Sequence, residues 1–134
     1  MDWNLEVVAV PVKDVDRAAG FYTKKLGFNL DHDTRIGEEM RVVQLTPPGS
    51  ACSIVLGTGL VDSPPGSAQG MQLVVSDIEA ARAELVGRGV EVSEVKHYED
   101  GVWLDGRGGG WNSFVFFSDP DGNGWTLQER PSGD

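Results

Sequence analysis

The sequence predicts an α+β domain built from two tandem βαβββ modules, whose strands form a curved mixed sheet with a concave ligand cavity. Three observations support this prediction. A strand, a capped helix and a glycine that ends the helix occur twice in this order. After each helix, apolar and polar residues alternate with a period of two, and turn residues separate these alternating runs. At 134 residues and 14.4 kDa, the chain has the size of one domain.

The first module begins with an apolar strand over residues 5–12. Asp14 is a helix cap, the helix is predicted over 15–25, and Gly27 ends it. Three valines share one face of the first strand and should pack against this helix: Val8, Val10 and Val12. Alternating residues then predict three more strands, at 28–35, 40–46 and 51–56.

The second module repeats this order. Apolar and polar residues alternate over 71–75, which predicts a strand. Asp77 can cap a helix over 78–88, and Gly89 ends that helix. Three strands are predicted after this helix, at 90–97, 111–118 and 125–129. Because the two capped segments also begin alike, with Asp-Val-Asp-Arg-Ala-Ala and Asp-Ile-Glu-Ala-Ala-Arg, we interpret them as copies of one unit.

Turn-forming residues mark the boundaries between the predicted strands and between the two modules. The run Asp-Pro-Asp-Gly at 119–122 is typical of a type I turn and should join the last two strands as a hairpin. The expected organisation is a single domain with module one at about 4–57, a linker at about 58–69 and module two at about 70–130. Since each helix covers only one sheet face, the opposite face stays available to a ligand.

Composition excludes several partners. A formal charge of −10 repels polyphosphate, so nucleic acid is not expected as a partner, and no apolar run is long enough to cross a membrane. The N-terminal residues lack the pattern of a secretory signal, and the single Cys52 lies in an apolar run, which favours a cytoplasmic protein with an inert core thiol.

Three segments together resemble the vicinal-oxygen-chelate superfamily, which includes glyoxalases, bleomycin-resistance proteins and extradiol dioxygenases. They are residues 10–22, residues 26–28, and Asp119–Asn123 followed by Trp125 and Glu129. The resemblance covers almost the whole chain. It implies paired βαβββ modules, a small-molecule cavity, a homodimer and, in many members, a divalent metal held by His, Glu or Gln at four strand positions.

At the four positions that correspond to those ligands, this chain has Val7, Gln44, Gly70 and Thr126. Only Gln44 could ligate a metal, whereas a divalent ion needs at least three donors close together. We therefore expect neither a metal nor another cofactor. His32 and His97 lie at other positions and are expected to have ordinary surface roles.

The remaining cavity residues are apolar or neutral. We predict nine ligand-binding residues: Val7, Ala9, Gln44, Gly70, Gln72, Trp103, Trp111, Thr126 and Gln128. The two tryptophans flank a glycine-rich segment, which is either a mobile lid or the approach to a strand with Trp111 in the core. No catalytic residue is predicted; Glu129 is either an acid-base group or a solvated strand end.

The leading hypothesis is metal-independent binding of a small organic molecule, planar or cationic, as in drug-sequestering relatives of the resembled family. The alternative is a glyoxalase- or dioxygenase-like lyase, isomerase or oxidoreductase with a non-standard metal or acid-base site. A third hypothesis is an interaction module without a small ligand. Uptake of a stoichiometric metal would favour the enzyme over the binder.

Overall fold

The structure is a computed structural model and describes residues 1–132. Contacts divide the chain into two compact units. The first unit contains Met1–Ala68 together with Asp119–Asn123, and the second contains Gln69–Ser118 and residues 124–132. Within residues 1–132 no helix is long and apolar enough to span a membrane.

The first unit has the order βαβββ. Its elements are β1 (Val7–Ala9), α1 (Val15–Gly20), a π-helical turn (Phe21–Lys25), β2 (Asn29–Ile36), β3 (Met40–Thr46) and β4 (Ser53–Thr58). The sheet order is β1-β4-β3-β2, with β1 parallel to β4 and the other pairs antiparallel. Of the three valines predicted to pack against the helix, Val10 and Val12, which follow β1, are buried, and Val8 is partly exposed.

The helix of the first unit begins as predicted, because the Asp14 side chain accepts a hydrogen bond from the Arg17 N–H at 3.1 Å. It does not continue as an α-helix to residue 25. From Phe21 the hydrogen bonds widen to i→i−5, as in the Leu26 N–H to Phe21 carbonyl bond of 3.3 Å. The β1 ladder is shorter than predicted, since Pro11 has no N–H to donate to a strand.

The second unit repeats the order and adds one strand. Its elements are β5 (Met71–Val75), α2 (Ile78–Gly87), β6 (Lys96–Glu99), β7 (Val102–Asp105), β8 (Phe114–Ser118) and β9 (Gly124–Glu129). The sheet order is β5-β9-β8-β6-β7, with β5 parallel to β9. Asp77 caps α2 by accepting from the Ala80 N–H at 3.0 Å. The prediction of two βαβββ modules is confirmed.

The extra strand β7 lies in a segment that the sequence analysis treated as a loop. Strands β6 and β7 form a hairpin with Glu99 opposite Val102, so only Asp100 and Gly101 make the turn. Both turn residues have positive φ angles, 51° and 84°, which is the geometry of a type I′ turn. The strand predicted over 90–97 is reduced to β6, which starts only at Lys96.

The turn at 119–122 joins β8 to β9, as predicted, through a 3.0 Å bond from the Gly122 N–H to the Asp119 carbonyl. Its side chains contact other residues of the first unit, to which residues 119–123 belong. Tyr22, fully buried, donates its hydroxyl to the Asp119 carboxylate at 2.7 Å. Asn123 donates to the Pro11 carbonyl at 2.8 Å and to Asp119 at 2.8 Å. These bonds explain why residues 119–123 belong to the first unit.

Candidate functional site: two open sheet faces

Each unit has a sheet face turned away from its helix, which we call the open face. In the first unit, Val43 and Leu45 are buried on the helix side, whereas Gln44 and Thr46 are partly exposed on the open face. Val55 lies between Ala9 and Gln44 in the strand register. The structure therefore places three of the predicted residues on one surface: Val7, Ala9 and Gln44.

A β-bulge adds a residue to this surface that the sequence analysis did not select. The β2–β3 register shifts between Leu30 and His32, leaving Asp31 as the extra residue. Its carboxylate accepts from the Thr46 hydroxyl, from the Asn29 amide at 2.8 Å and from the Gln44 amide at 3.4 Å. No pattern in the sequence marks the bulge. Plain alternation from Leu30, which lies opposite Leu45, would turn His32 to the helix side, whereas the bulge places His32 opposite Gln44 on the open face, next to Asp31.

Hydrogen bonds stabilise the charged form of Asp31. The Thr46 hydroxyl is the largest cause, followed by the Asn29 amide, and together they hold the pKa of Asp31 below its usual value of 3.8. A carboxylate with a lowered pKa is a weak proton acceptor. This group is therefore suited to attract positive charge rather than to act as a general base.

The open face of the second unit combines amides with aromatic rings. In the register, Thr126 lies between Gln72 and Phe116, and Gln128 lies between Val74 and Phe114. Gln72 donates its amide to the Gln128 side-chain oxygen. Gly70 immediately precedes β5 at the end of this surface.

Trp103 on β7 is the centre of an aromatic cluster on this surface. Its ring centroid lies 5.2 Å from Tyr98, 5.3 Å from Phe114 and 5.2 Å from Phe116, each in an edge-to-face arrangement. Trp103 nevertheless remains 47% exposed. We call these four residues the aromatic cluster; sequence reasoning found only Trp103, although Phe114 and Phe116 alternate in phase with the predicted cavity residues of β9.

A small cavity lies at one end of the same unit. It has a volume of about 280 Å³ and is lined by residues that include Gly70, Phe116, Ser118 and Thr126. This is slightly below the usual range of about 300–1,000 Å³ for drug-sized ligands. It can hold one ring or a substituent of a larger molecule.

The glycine-rich segment beside the cluster is held in place by several bonds. The Gly106 N–H donates to the Val95 carbonyl at 2.7 Å, and the Gly108 N–H donates to Ser113 Oγ at 3.1 Å. Arg107 forms an ion pair with Glu129. These bonds support a fixed segment instead of a mobile lid.

Trp111 does not begin a strand in the core, as one of the two interpretations required. It is 51% exposed and its φ angle is +64°, an unfavourable conformation for a tryptophan. Its carbonyl accepts a 2.8 Å bond from the Gln128 side-chain amide. Gln72 and Gln128 therefore connect the open face to the backbone of Trp111.

Glu129, the suggested acid-base group, faces the helix of its unit. One carboxylate oxygen accepts from the N–H of Ile78 at 2.9 Å, and the other pairs with Arg107. The residue is only 9% exposed. Its contacts assign it to the N-terminus of α2, where a negative charge is favourable.

The residues at the four metal-ligand positions do not fit a divalent ion. Val7 and Gly70 have no donor atom in their side chains, and Gln44 could offer only its amide oxygen, because its amide nitrogen donates to Asp31 and to Ser53, at 3.5 Å for the latter. Across residues 1–132, no group of three or more His, Cys, Asp or Glu is arranged to hold a metal.

The fold and the surfaces together define a class: α+β proteins with paired βαβββ units that leave one sheet face open in each unit. The chain belongs to the Glyoxalase/Bleomycin resistance protein/Dioxygenase superfamily, whose sequence model matches residues 4–127. This confirms the family resemblance seen in the sequence.

Among relatives, the chain is similar to the uncharacterized protein YetH of Bacillus subtilis (strain 168), with 30% identity over 94% of this chain and 98% of that protein. It is also similar to the crystal structure of TnmS3, an antibiotic binding protein from Streptomyces sp. CB03234. That match has 32% identity, covers 96% of this chain and 97% of the other, and has a TM-score of 0.80. A glyoxalase/bleomycin resistance protein from the same organism matches with 34% identity, 93% and 99% coverage and a TM-score of 0.74.

Proposed function

We propose that this protein binds a small organic molecule with a planar aromatic part, without a metal ion. The observation that carries the proposal is the aromatic cluster around Trp103. Three rings pack edge-to-face against one indole, so Trp103 is held in place while almost half of its surface stays in contact with water. A planar ligand that covers this surface removes apolar area from water and stacks on a fixed ring.

The side-chain amides of Gln72 and Gln128, next to the aromatic cluster, can orient a bound ligand through hydrogen bonds. The Trp111 carbonyl can only accept, so Gln128 must direct its amide nitrogen there and its oxygen towards Gln72. Gln72 in turn uses an N–H for Gln128, which leaves its own oxygen free to accept a bond from a ligand. The amide orientations thus follow from the chemistry of the partners.

The remaining predicted residues are proposed contacts of the same kind, each on the open face of its own unit. They are Val7, Ala9 and Gln44 in the first unit, and Gly70, Gln72, Trp111, Thr126 and Gln128 in the second. Metal independence is supported by the missing donors at Val7 and Gly70. The similarity to TnmS3, an antibiotic binding protein, supports ligand binding as the role.

The test uses calorimetry with two planar probes of opposite charge, proflavine and anthraquinone-2-sulfonate, on protein treated with chelator. We expect saturable binding of at least one probe and a loss of about tenfold in affinity for Trp103→Ala, because stacking on an aromatic residue is typically worth about 1–3 kcal/mol. Trp3→Ala is the control, since Trp3 is exposed and outside the sheets.

Two results would contradict the proposal. Equal affinities for Trp103→Ala and the unchanged protein would remove the role of the aromatic cluster. Binding that chelator abolishes and a stoichiometric divalent ion restores would instead support the enzyme hypothesis, with displaced metal ligands.

A further inference from the structure

The carboxylate of Asp31 has no cationic partner within ion-pair distance in the described chain. Asp33, two residues later on the same strand, differs in this respect. Its carboxylate lies 2.7 Å from Arg41, on the helix side of the sheet. The bulge in β2 thus separates a neutralised carboxylate from one whose charge is directed to the open face.

The hydrogen-bond donors next to Asp31 are used within the protein, which leaves acceptors for a ligand. The Thr46 hydroxyl gives its single hydrogen to Asp31, so in its 2.6 Å contact with Ser53 it must accept. Both hydrogens of the Gln44 amide nitrogen are directed to Asp31 and Ser53, at 3.4 and 3.5 Å. Within this hydrogen-bonded group, the atoms left for a ligand are the Gln44 oxygen and the Asp31 carboxylate, and both are acceptors. His32 lies opposite Gln44 on the same face, and its electrostatic interaction with the Asp31 carboxylate is weaker than the hydrogen bonds to that carboxylate.

Apolar side chains lie next to these acceptors. Val7 is 43% exposed, and Ala9, Val42 and Val55 are partly exposed on the same face. A group that presents several hydrogen-bond donors and a positive charge on an apolar stem would match this surface, because an ammonium has three donors and no acceptor.

We infer that the open face of the first unit binds a protonated amine, with Asp31 as the residue that selects it. The inference rests on the proposed function, since it names a chemical class of the bound molecule, and it concerns the first unit alone. Exposed carboxylates are common in a chain of charge −10; Asp31 differs because three side chains fix its orientation.

The experiment is an NMR titration with two probes of almost equal size, benzylammonium chloride and benzyl alcohol, at pH 7 and low salt. We expect the amine to shift the side-chain N–H signals of Gln44 and the backbone signal of Asp31, with about tenfold higher affinity than the alcohol. Asp31→Asn should remove this preference. Glu38→Gln changes the net charge equally at an exposed turn position and should leave affinity for the amine within twofold.

Equal affinities of the two probes for the unchanged protein would overturn the inference, whether or not Asp31→Asn folds. So would an equal loss in Asp31→Asn and Glu38→Gln, because the amine would then respond only to the overall charge. The proposed function is tested separately, and it is contradicted if Trp103→Ala does not weaken binding of the planar probes. An amine preference that depends on Asp31 stands even if that result is negative.

Discussion

The two units share a backbone plan but differ in the chemistry of their open faces. Apart from the additional strand β7 at the edge of the second sheet, both have the strand order first-fourth-third-second, a parallel pair at one edge and an aspartate cap on the helix. The first unit presents a carboxylate, hydroxyls and small aliphatic side chains. The second presents four aromatic rings and two linked amides. The two units thus keep one backbone plan with different residues on their open faces, which is where we propose that ligand binding is determined.

The two sheets also differ in how the connection between their last two strands in the chain is stabilised. Between β3 and β4, the turn at 47–50 uses one backbone bond, from the Ser50 N–H to the Pro47 carbonyl at 3.1 Å. Between β8 and β9, the Asp119 carboxylate accepts from two backbone N–H groups at 2.9 Å each and from the side chains of Tyr22 and Asn123. Only the second turn has a buried charged acceptor, at 5% exposure.

The largest effect is therefore expected for Asp119→Ala. It leaves four donors without their acceptor, and we expect the free energy of unfolding to fall by about 3 kcal/mol in urea denaturation. Tyr22→Phe removes one donor and should cost about 1 kcal/mol. Asp62→Ala, at an exposed position, should change stability by less than about 0.5 kcal/mol. If Asp119→Ala behaved like Asp62→Ala, the buried network would have no role in stability.

A second prediction concerns the glycine-rich segment, which has no counterpart in the first unit. A Cβ at Gly108 would clash with the Asn112 carbonyl oxygen and lie 2.8 Å from His97 Cβ, whereas at Gly109 nothing lies within 4 Å. We expect Gly108→Ala to lower the free energy of unfolding by about 2 kcal/mol and Gly109→Ala by less than about 0.5 kcal/mol. Equal, small effects in thermal unfolding would show that the segment is mobile, as a lid would be.

The smallest effect concerns the titration of Asp31 in the first unit. Because its pKa is lowered mainly by the Thr46 hydroxyl, Thr46→Val should raise it towards 3.8, as measured by the NMR shift of the carboxyl carbon. The pKa of Asp33 is lowered mainly by its bond to Arg41 and should stay unchanged. A carboxyl whose pKa is lowered on folding stabilises the protein above its unfolded pKa, and this contribution is lost as the pH falls through the folded value. An unchanged Asp31 pKa would contradict the assigned hydrogen bond.

The fold could be predicted because it depends on local signals that occur twice. Asp14 and Asp77 cap helices through their own backbone neighbours, and the alternation of β3 matches the observed strand Met40–Thr46. The hairpin β6–β7 could also have been predicted, since Asp-Gly between alternating residues is typical of a type I′ turn. The early end of α1 had no such signal, because a π-helical turn uses the same residue types as an α-helix.

The candidate site was predicted only in part. The family's ligand positions, continued by alternation along the strands, put Thr126, Gln128 and Gln72 on one face, and the structure has them together on the open face. Asp31 was missed because its hydrogen bonds to Thr46 and Gln44 depend on the pairing of β2 with β3, and the face of His32 was not predictable because the inserted residue reverses the alternation after Leu30. Tyr98 was missed because its contact with Trp103 depends on β7, which was treated as a loop. Whether a site residue could be predicted depended on the pairing between strands more than on the residue type.

The turn at 119–123 makes the first unit discontinuous in sequence. A chain truncated after Ala68 would contain α1 and all four strands of its sheet, yet it would lack the carboxylate that accepts from Tyr22 and the amide that reaches the Pro11 carbonyl. The isolated N-terminal half would thus expose polar groups that the intact chain satisfies, so gene fragments or swapped modules that divide the chain at the linker would need those five residues restored.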